Sequence, residues 1–203
     1  MLDLCSGLGG ASEAFVRAGW EVVRIDNNPL LANPTSGYYV PYTIEDNVIS
    51  PSGLDYFWMS LDYDFIWASP ECVGFSNAYA SPKSKAARNG EDYEPDMTLV
   101  TACHHIIQVL EPKYWAIENV AGSRPYITKE LGMPPWQIIG PFFIWGRFPR
   151  LMFEHDWTHT KANVDTNSSH ELRANHKAKI PLELSEAFLD AVSNQTSLAR
   201  WTR

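Results

Sequence analysis

The chain opens Met1-Leu-Asp-Leu-Cys-Ser-Gly-Leu-Gly-Gly-Ala-Ser-Glu-Ala-Phe15, an apolar run that breaks into three glycines and then into a helical pattern. Glycine at Gly7, Gly9 and Gly10 allows positive φ and a close approach of backbone to a ligand, and the helix that follows points its unpaired N–H groups at whatever sits there. The next apolar run, Glu21-Val-Val-Arg-Ile-Asp26, ends in a carboxylate 19 positions after Gly7. In a βαβ unit an acidic side chain at about that distance accepts hydrogen bonds from ribose hydroxyls. The turn lacks the third glycine of the dinucleotide fingerprint and no P-loop Gly-Lys-Ser/Thr follows. The expected ligand is therefore a nucleoside without a phosphate cradle.

Hydrophobic period extends the reading along the chain. Strand 1–5, a helix over 12–18 closed by Gly19 and strand 21–25 are followed by an irregular Asn/Pro-rich stretch. Asp64-Phe-Ile-Trp-Ala68 reads as a buried strand, and Asp96 to Leu110 as a helix carrying Leu99, Cys103, Ile106 and Leu110 and stopped by Pro112. Tyr114-Trp-Ala-Ile-Glu118 is a further strand, Trp136 to Trp145 is extended in part, and Leu184, Ala187, Phe188, Ala191 and Val192 mark a terminal amphipathic helix from near Pro181. Strands alternating with helices predict an α/β domain with a doubly wound, mostly parallel sheet.

In such a sheet the chemistry lies at the carboxyl ends of the strands. Ala68-Ser-Pro-Glu-Cys-Val-Gly-Phe-Ser76 puts Cys72 just past one strand, in a loop shaped by Pro70 and Gly74, and Ile117-Glu-Asn-Val120 puts Glu118 at the end of the next. A thiol and a carboxylic acid from neighbouring strand ends can converge on one small planar substrate beside the glycine turn.

Composition bounds the alternatives. At 203 residues, 45% hydrophobic and with eight Trp, the chain has material for one packed α/β domain with a small appendage. No stretch approaches the ~20 apolar residues that span a bilayer, and no charged-then-apolar leader precedes the first strand. Three cysteines, Cys5, Cys72 and Cys103, are too few and too scattered for a disulfide framework or a zinc site, so no metal is expected and a reducing cytoplasm is the default. The net charge of -8 runs against a wholly basic nucleic-acid face. Cations are unevenly placed, however: Lys83, Lys85 and Arg88 share a loop-like stretch. From Arg147 to Lys179 six Lys/Arg stand against four Asp/Glu, with His155, His159, His170 and His176 interleaved.

Together these motifs resemble the cytosine-C5 methyltransferases that use S-adenosylmethionine. Asp3-Leu-Cys-Ser-Gly-Leu-Gly-Gly10 is similar to their opening Asp-Leu-Phe-x-Gly-x-Gly-Gly, Ser69-Pro-Glu-Cys-Val-Gly-Phe-Ser76 to their Pro-Pro-Cys-Gln-x-Phe-Ser loop, and Glu118-Asn119-Val120 to their Glu-Asn-Val, in the same order. The resemblance implies a Rossmann-like S-adenosylmethionine-dependent methyltransferase fold and a flipped DNA cytosine as substrate. Cys72 would attack C6, Glu118 would hydrogen-bond N3 and the exocyclic amine, and Asn119 would steady the cysteine loop. Asp3, Ser6, Gly7, Leu8, Gly9, Gly10, Asp26, Asn27 and Pro70 would hold the cofactor, with Glu45 or Asp46 at the adenine amine. Ser76 and the stretch from Asn77 to Gly90, with Lys83, Lys85 and Arg88, would contact DNA, the stretch matching in position the family's mobile loop.

The chain also departs from the pattern. Glu71 stands where the family has proline and Val73 where it has glutamine, and a carboxylate beside the nucleophile raises a thiol pKa unless it points away. The Gln-x-Arg-x-Arg element is replaced in position by Gly146-Arg-Phe-Pro-Arg150, making Arg147 and Arg150 its candidates. The expected organisation is a catalytic domain over 1–150, a minimal target-recognition region over 151–177 and a C-terminal segment over 178–203 that packs back beside the cofactor. This describes a phage or prokaryotic orphan enzyme with short sequence recognition, or one helped by a partner protein. The same chemistry on RNA or a free nucleotide, and a catalytically weakened cofactor-binding protein, are the alternative readings.

Overall fold

Period-2 alternation of apolar side chains lets each central strand serve two helical layers. The computed structural model describes residues 1–32, 43–50, 58–153 and 171–198. Within them lie strands β1 (Leu2–Leu4), β2 (Val23–Asp26), β3 (Thr43–Glu45), β4 (Phe65–Ala68), β5 (Tyr114–Asn119), β6 (Gln137–Ile139) and β7 (Phe142–Arg147). The helices are α1 (Glu13–Arg17), α2 (Pro29–Ala32), α3 (Pro82–Asn89), α4 (Thr98–Leu110), α5 (Arg124–Leu131), α6 (Arg173–Ala178) and α7 (Leu182–Leu198). On β4, Phe65 and Trp67 pack with Phe15 of α1 and Leu184, Phe188 and Val192 of α7. Ile66 and Ala68 pack on the other face with Cys103, Ile106 and Ile107 of α4. Phe75, Val100, Ile127 and Trp145 form a smaller cluster between the cysteine loop, α4, α5 and β7.

The sheet order is β3-β2-β1-β4-β5-β7-β6. All pairings from β3 to β5 are parallel, and β7 runs antiparallel to both β5 and β6. The expected α/β class and mostly parallel, doubly wound sheet are found. The chain winds outward from β1 to β3, then returns to β4 on the other side of β1, so the loops leaving β1 and β4 diverge and open a crevice at their carboxyl ends. Among the described residues, no helix is long and apolar enough to cross a membrane.

The short elements α2 and β3, in the stretch read as irregular, and the helix α5 were not anticipated, and two further differences bear on the site. The stretch holding Lys83, Lys85 and Arg88 is a helix, α3. Ser81 caps it by accepting a hydrogen bond from the Ser84 N–H at 3.2 Å, Pro82 starts it, and Gly90 ends it at φ +70. The second is α6, which falls inside the region assigned to target recognition. Leu172, just before it, is buried with Leu8 and Leu31, so this part of the chain packs on the glycine turn. Residues 154–170, with His155, His159 and His170, lie outside the described residues.

Candidate active site

The glycine turn is built from behind. Ser6 N–H bonds the Ile25 carbonyl at 3.0 Å, and Gly7 N–H bonds Asp26 Oδ2 at 2.8 Å. The other Asp26 oxygen accepts from Asn28 N–H at 3.0 Å. Beneath the turn Arg24, 2% exposed, donates from Nη2 to the Gly9 carbonyl and from Nε to Ser12 Oγ, and Ser12 donates to Asp3 Oδ2 at 2.6 Å. Any side chain at Gly9 would fall 2.2 Å from the Arg24 guanidinium carbon, and one at Gly10 would fall 2.3 Å from the Ile180 carbonyl oxygen. Glycine is required at both positions because backbone and cation already fill that space. Ser185 of α7 closes the arrangement, accepting from Ala14 N–H at 3.0 Å and donating to the Ala11 carbonyl at 2.6 Å.

Asp3 is therefore not on the open side of the turn. It is 1% exposed, engaged with Ser12 and facing Arg24, and burial pushes its carboxyl up to about 7 against the pull of Arg24. It supports the turn from below. Within the turn, Ser6 has a buried hydroxyl with no hydrogen-bond partner among the described residues. Next to it is Gly7, over which the Asn175 amide stands 3.6 Å from where a Cβ would be.

The cysteine loop leaves β4 at Ser69. Cys72 is half-buried, and its carbonyl accepts from the N–H groups of Phe75 and Ser76 at 3.0 Å, curling the loop into a turn anchored by buried Phe75. Asn119, 1% exposed at the end of β5, donates from Nδ2 to the Pro70 carbonyl at 2.9 Å, and its Oδ1 accepts from Val120 N–H at 2.9 Å. Glu71 is exposed, so water screens its charge. Glu118 precedes Asn119, is buried, and has its carboxyl pushed up to about 7 by burial, against a hydrogen bond from Ser69 that lowers it. Cys5 is a different kind of thiol: its Sγ lies 3.9 Å from Cys103 Sγ, and that contact together with burial raises its pKa well above the ordinary range.

The remaining predicted residues separate. Lys83 donates to the Gly122 carbonyl at 3.1 Å and lies over the Tyr126 ring, tying α3 to the segment after β5. Lys85 is exposed, and Arg88 stacks on Tyr79 at 3.9 Å and bonds its carbonyl. Ser76 follows the cysteine loop, with its hydroxyl accepting from Ala78 N–H. Arg147 lies away from the Glu118 end of β5. Because β7 is antiparallel, Arg147 pairs with Trp115 at the start of β5, where it donates to the Pro112 and Lys113 carbonyls. Arg150 is exposed beyond it. Asp46 is buried, with its oxygens taken by Trp58 Nε1 at 3.0 Å and Asn47 N–H at 2.7 Å, whereas Glu45 is exposed at the end of β3. Asn27 is exposed, next to Asp26.

A glycine turn at β1, a carboxylate at β2, a cysteine loop at β4 and a buried Glu-Asn pair at β5 thus occupy adjacent strand ends. The family model of the C-5 cytosine-specific DNA methylases matches residues 1–125, which contain all four. The chain belongs to that family. Among curated relatives it is similar to the type II methyltransferase M.DdeI of Desulfomicrobium norvegicum, with 26% identity over 131 residues. That match covers 64% of this chain but 29% of the relative, so this chain spans less than a third of that protein's length. A solved structure described as a DNA modification methyltransferase encoded within an E. coli prophage matches at 22% identity, covering 64% of this chain and 37% of that one, with a TM-score of 0.41.

The sequence alone does not single out Arg24, Ser12, Ser69 or Asn175 in this member of the family. Arg24 carried a signal, a charge inside the apolar run Val23-Arg-Ile25, although its partners lie in other elements. Asn175 carried none, because nothing local shows that α6 returns to the first turn.

Proposed function

We propose that this protein transfers a methyl group from S-adenosylmethionine to C5 of cytosine in DNA through a covalent adduct on Cys72. The observation that carries this reading is the buried Glu118 at about 7, one residue from the Asn119 that pins the cysteine loop. A carboxylic acid held near neutrality keeps its proton in much of the population at pH 7, and can donate it to N3 of cytosine while its other oxygen accepts from the exocyclic amine. That donation draws electron density from the ring. The Cys72 thiolate adds to C6, and C5 becomes enamine-like. S-adenosylmethionine, when bound, supplies an electrophilic methyl for that carbon. A base then takes the C5 proton, the S–C6 bond breaks, and the thiolate is restored.

The turn is suited to such a cofactor. Ser6 offers a hydroxyl whose bonding is unmet among the described residues, and Asp26 has lone pairs left for ribose hydroxyls after serving two N–H groups. Leu8 and the backbone from Ser6 to Gly10 would take the methionine portion, Asn27 and Asp26 the ribose, Glu45 or Asp46 the adenine amine, and Pro70 the transfer path. Extruding the base from a duplex costs a few kcal/mol, and Ser76, Lys83, Lys85 and Arg88 beside the cysteine loop would help offset it. The net charge of -8 favours a second reading, in which the same chemistry acts on RNA or a nucleotide. A steep salt dependence of duplex binding would exclude it.

The test is transfer of radiolabelled methyl to cytosine-bearing DNA by wild type and Cys72→Ser, together with a 5-fluorocytosine duplex. Fluorine at C5 blocks the final elimination, so the protein should remain bound covalently only when Cys72 and cofactor are both present. Cofactor binding without label or adduct on DNA would sink the proposal.

A further inference from the structure

We propose that Ser69, held by the indole of Trp67, is a positioning residue that aims and tunes the carboxyl group of Glu118. As an account of catalysis this rests on the reading above; as an account of ionisation it does not. Ala68 pairs with Ile117 across β4 and β5, so the next residue of each strand, Ser69 and Glu118, lies side by side. By alternation both belong to the face that carries Trp67 and Ala116. Trp67 Nε1 donates to Ser69 Oγ at 2.6 Å. An indole N–H can only donate, so it occupies a lone pair of the hydroxyl and leaves the single Ser69 proton for the neighbouring Glu118 carboxylate, whose ionisation Ser69 favours. Trp67 is itself fixed: it is 1% exposed and meets Phe188 of α7 edge-on, with ring centres 5.0 Å apart.

The other neighbours leave this role to Ser69. Across β7 the partner of Glu118 is Ile144, Asn119 is turned to the Pro70 carbonyl, and the charge of Glu71 in the cysteine loop is exposed. Burial and the Ser69 hydroxyl are the two influences on Glu118 ionisation, and they oppose each other. Without the hydroxyl, burial would hold the acid protonated to higher pH and make it slower to give up its proton. One hydroxyl bond to the charged form brings it to the range where it can both give and recover a proton.

Carbon-13 NMR of protein labelled at the glutamate carboxyl carbon tests this directly, with the Glu118 signal assigned by its loss in Glu118→Gln. Deleting the hydroxyl in Ser69→Ala should move the Glu118 midpoint upward by about one pH unit, the size expected for one hydrogen bond to a charged group. Ser69→Thr should restore it. Trp67→Phe keeps the serine and a ring but removes the indole donor, and should move the midpoint the same way by less. The alkaline limb of the methyl-transfer profile should follow the same order. An unmoved midpoint in Ser69→Ala, or in Trp67→Phe should the alanine variant not fold, overturns the relay while leaving the methyltransferase reading intact. If the midpoint moves but the wild type labels no DNA, the relay stands and the methyltransferase reading falls.

Discussion

Exchanging Glu118 for glutamine should stabilise the protein at alkaline pH while abolishing methyl transfer. Burial raises the Glu118 carboxyl from 4.5 to about 7, so the folded state disfavours its charge. Below 4.5 the group is neutral in both states and costs nothing; as pH rises toward 7 the unfolded chain ionises first, and stability falls until the folded form ionises too. Integrating that difference between about pH 5 and pH 8 gives a loss on the order of 2–3 kcal/mol that the neutral amide does not suffer. Urea denaturation of wild type and Glu118→Gln at those two pH values isolates the term, since any generic cost of the substitution cancels in the double difference. In a chain of this size it amounts to a midpoint shift of about 1 M urea. A double difference near zero would mean that Glu118 ionises as an ordinary carboxylate, and would remove the basis for its role as proton donor. A stable, inactive Glu118→Gln would show that the site holds its acid at the expense of the fold.

Asn119→Ala removes a buried bond to the carbonyl two residues before Cys72; it should cost about 1–3 kcal/mol of stability and about 100-fold in adduct formation with 5-fluorocytosine DNA, and an unchanged trapping rate would refute the pinning role. Gly10→Ala sets a methyl 2.3 Å from the Ile180 carbonyl oxygen, so the turn and the segment before α7 must part; calorimetry should find cofactor binding lost. Arg147→Ala should leave methyl transfer unchanged, because its strand pairing puts it on the order of 10 Å along β5 from Glu118. A large loss of activity in that variant would mean that the register of β7 is misread.

The parallel sheet was legible because Phe65 to Ala68 and Tyr114 to Ile117 are short apolar runs with polar, chemistry-bearing residues immediately beyond them. The same feature exposed Cys72 and Glu118. The α3 helix was signalled by Ser81-Pro82 and Gly90, but its low apolar content hid the signal behind its charges. Arg147 was assigned from sequence position, and position along the chain does not carry strand direction: one antiparallel strand moved it to the opposite edge. The support beneath the turn was illegible for another reason. Arg24 stood out as a charge in an apolar run, but its partners Ser12 and Asp3 lie in other elements, and only the folded chain makes one network of the three.

The Ser185 bonds to Ala11 and Ala14 join residues 174 and 171 positions apart. Contacts of that separation form late, since the entropy of closing the intervening chain must be overcome before they contribute. On a ribosome the glycine turn emerges well over a hundred residues before α7, which supplies its backing. Until α7 has been made and docked the turn therefore stands without its support, and its final shape is set only after the strands between them exist.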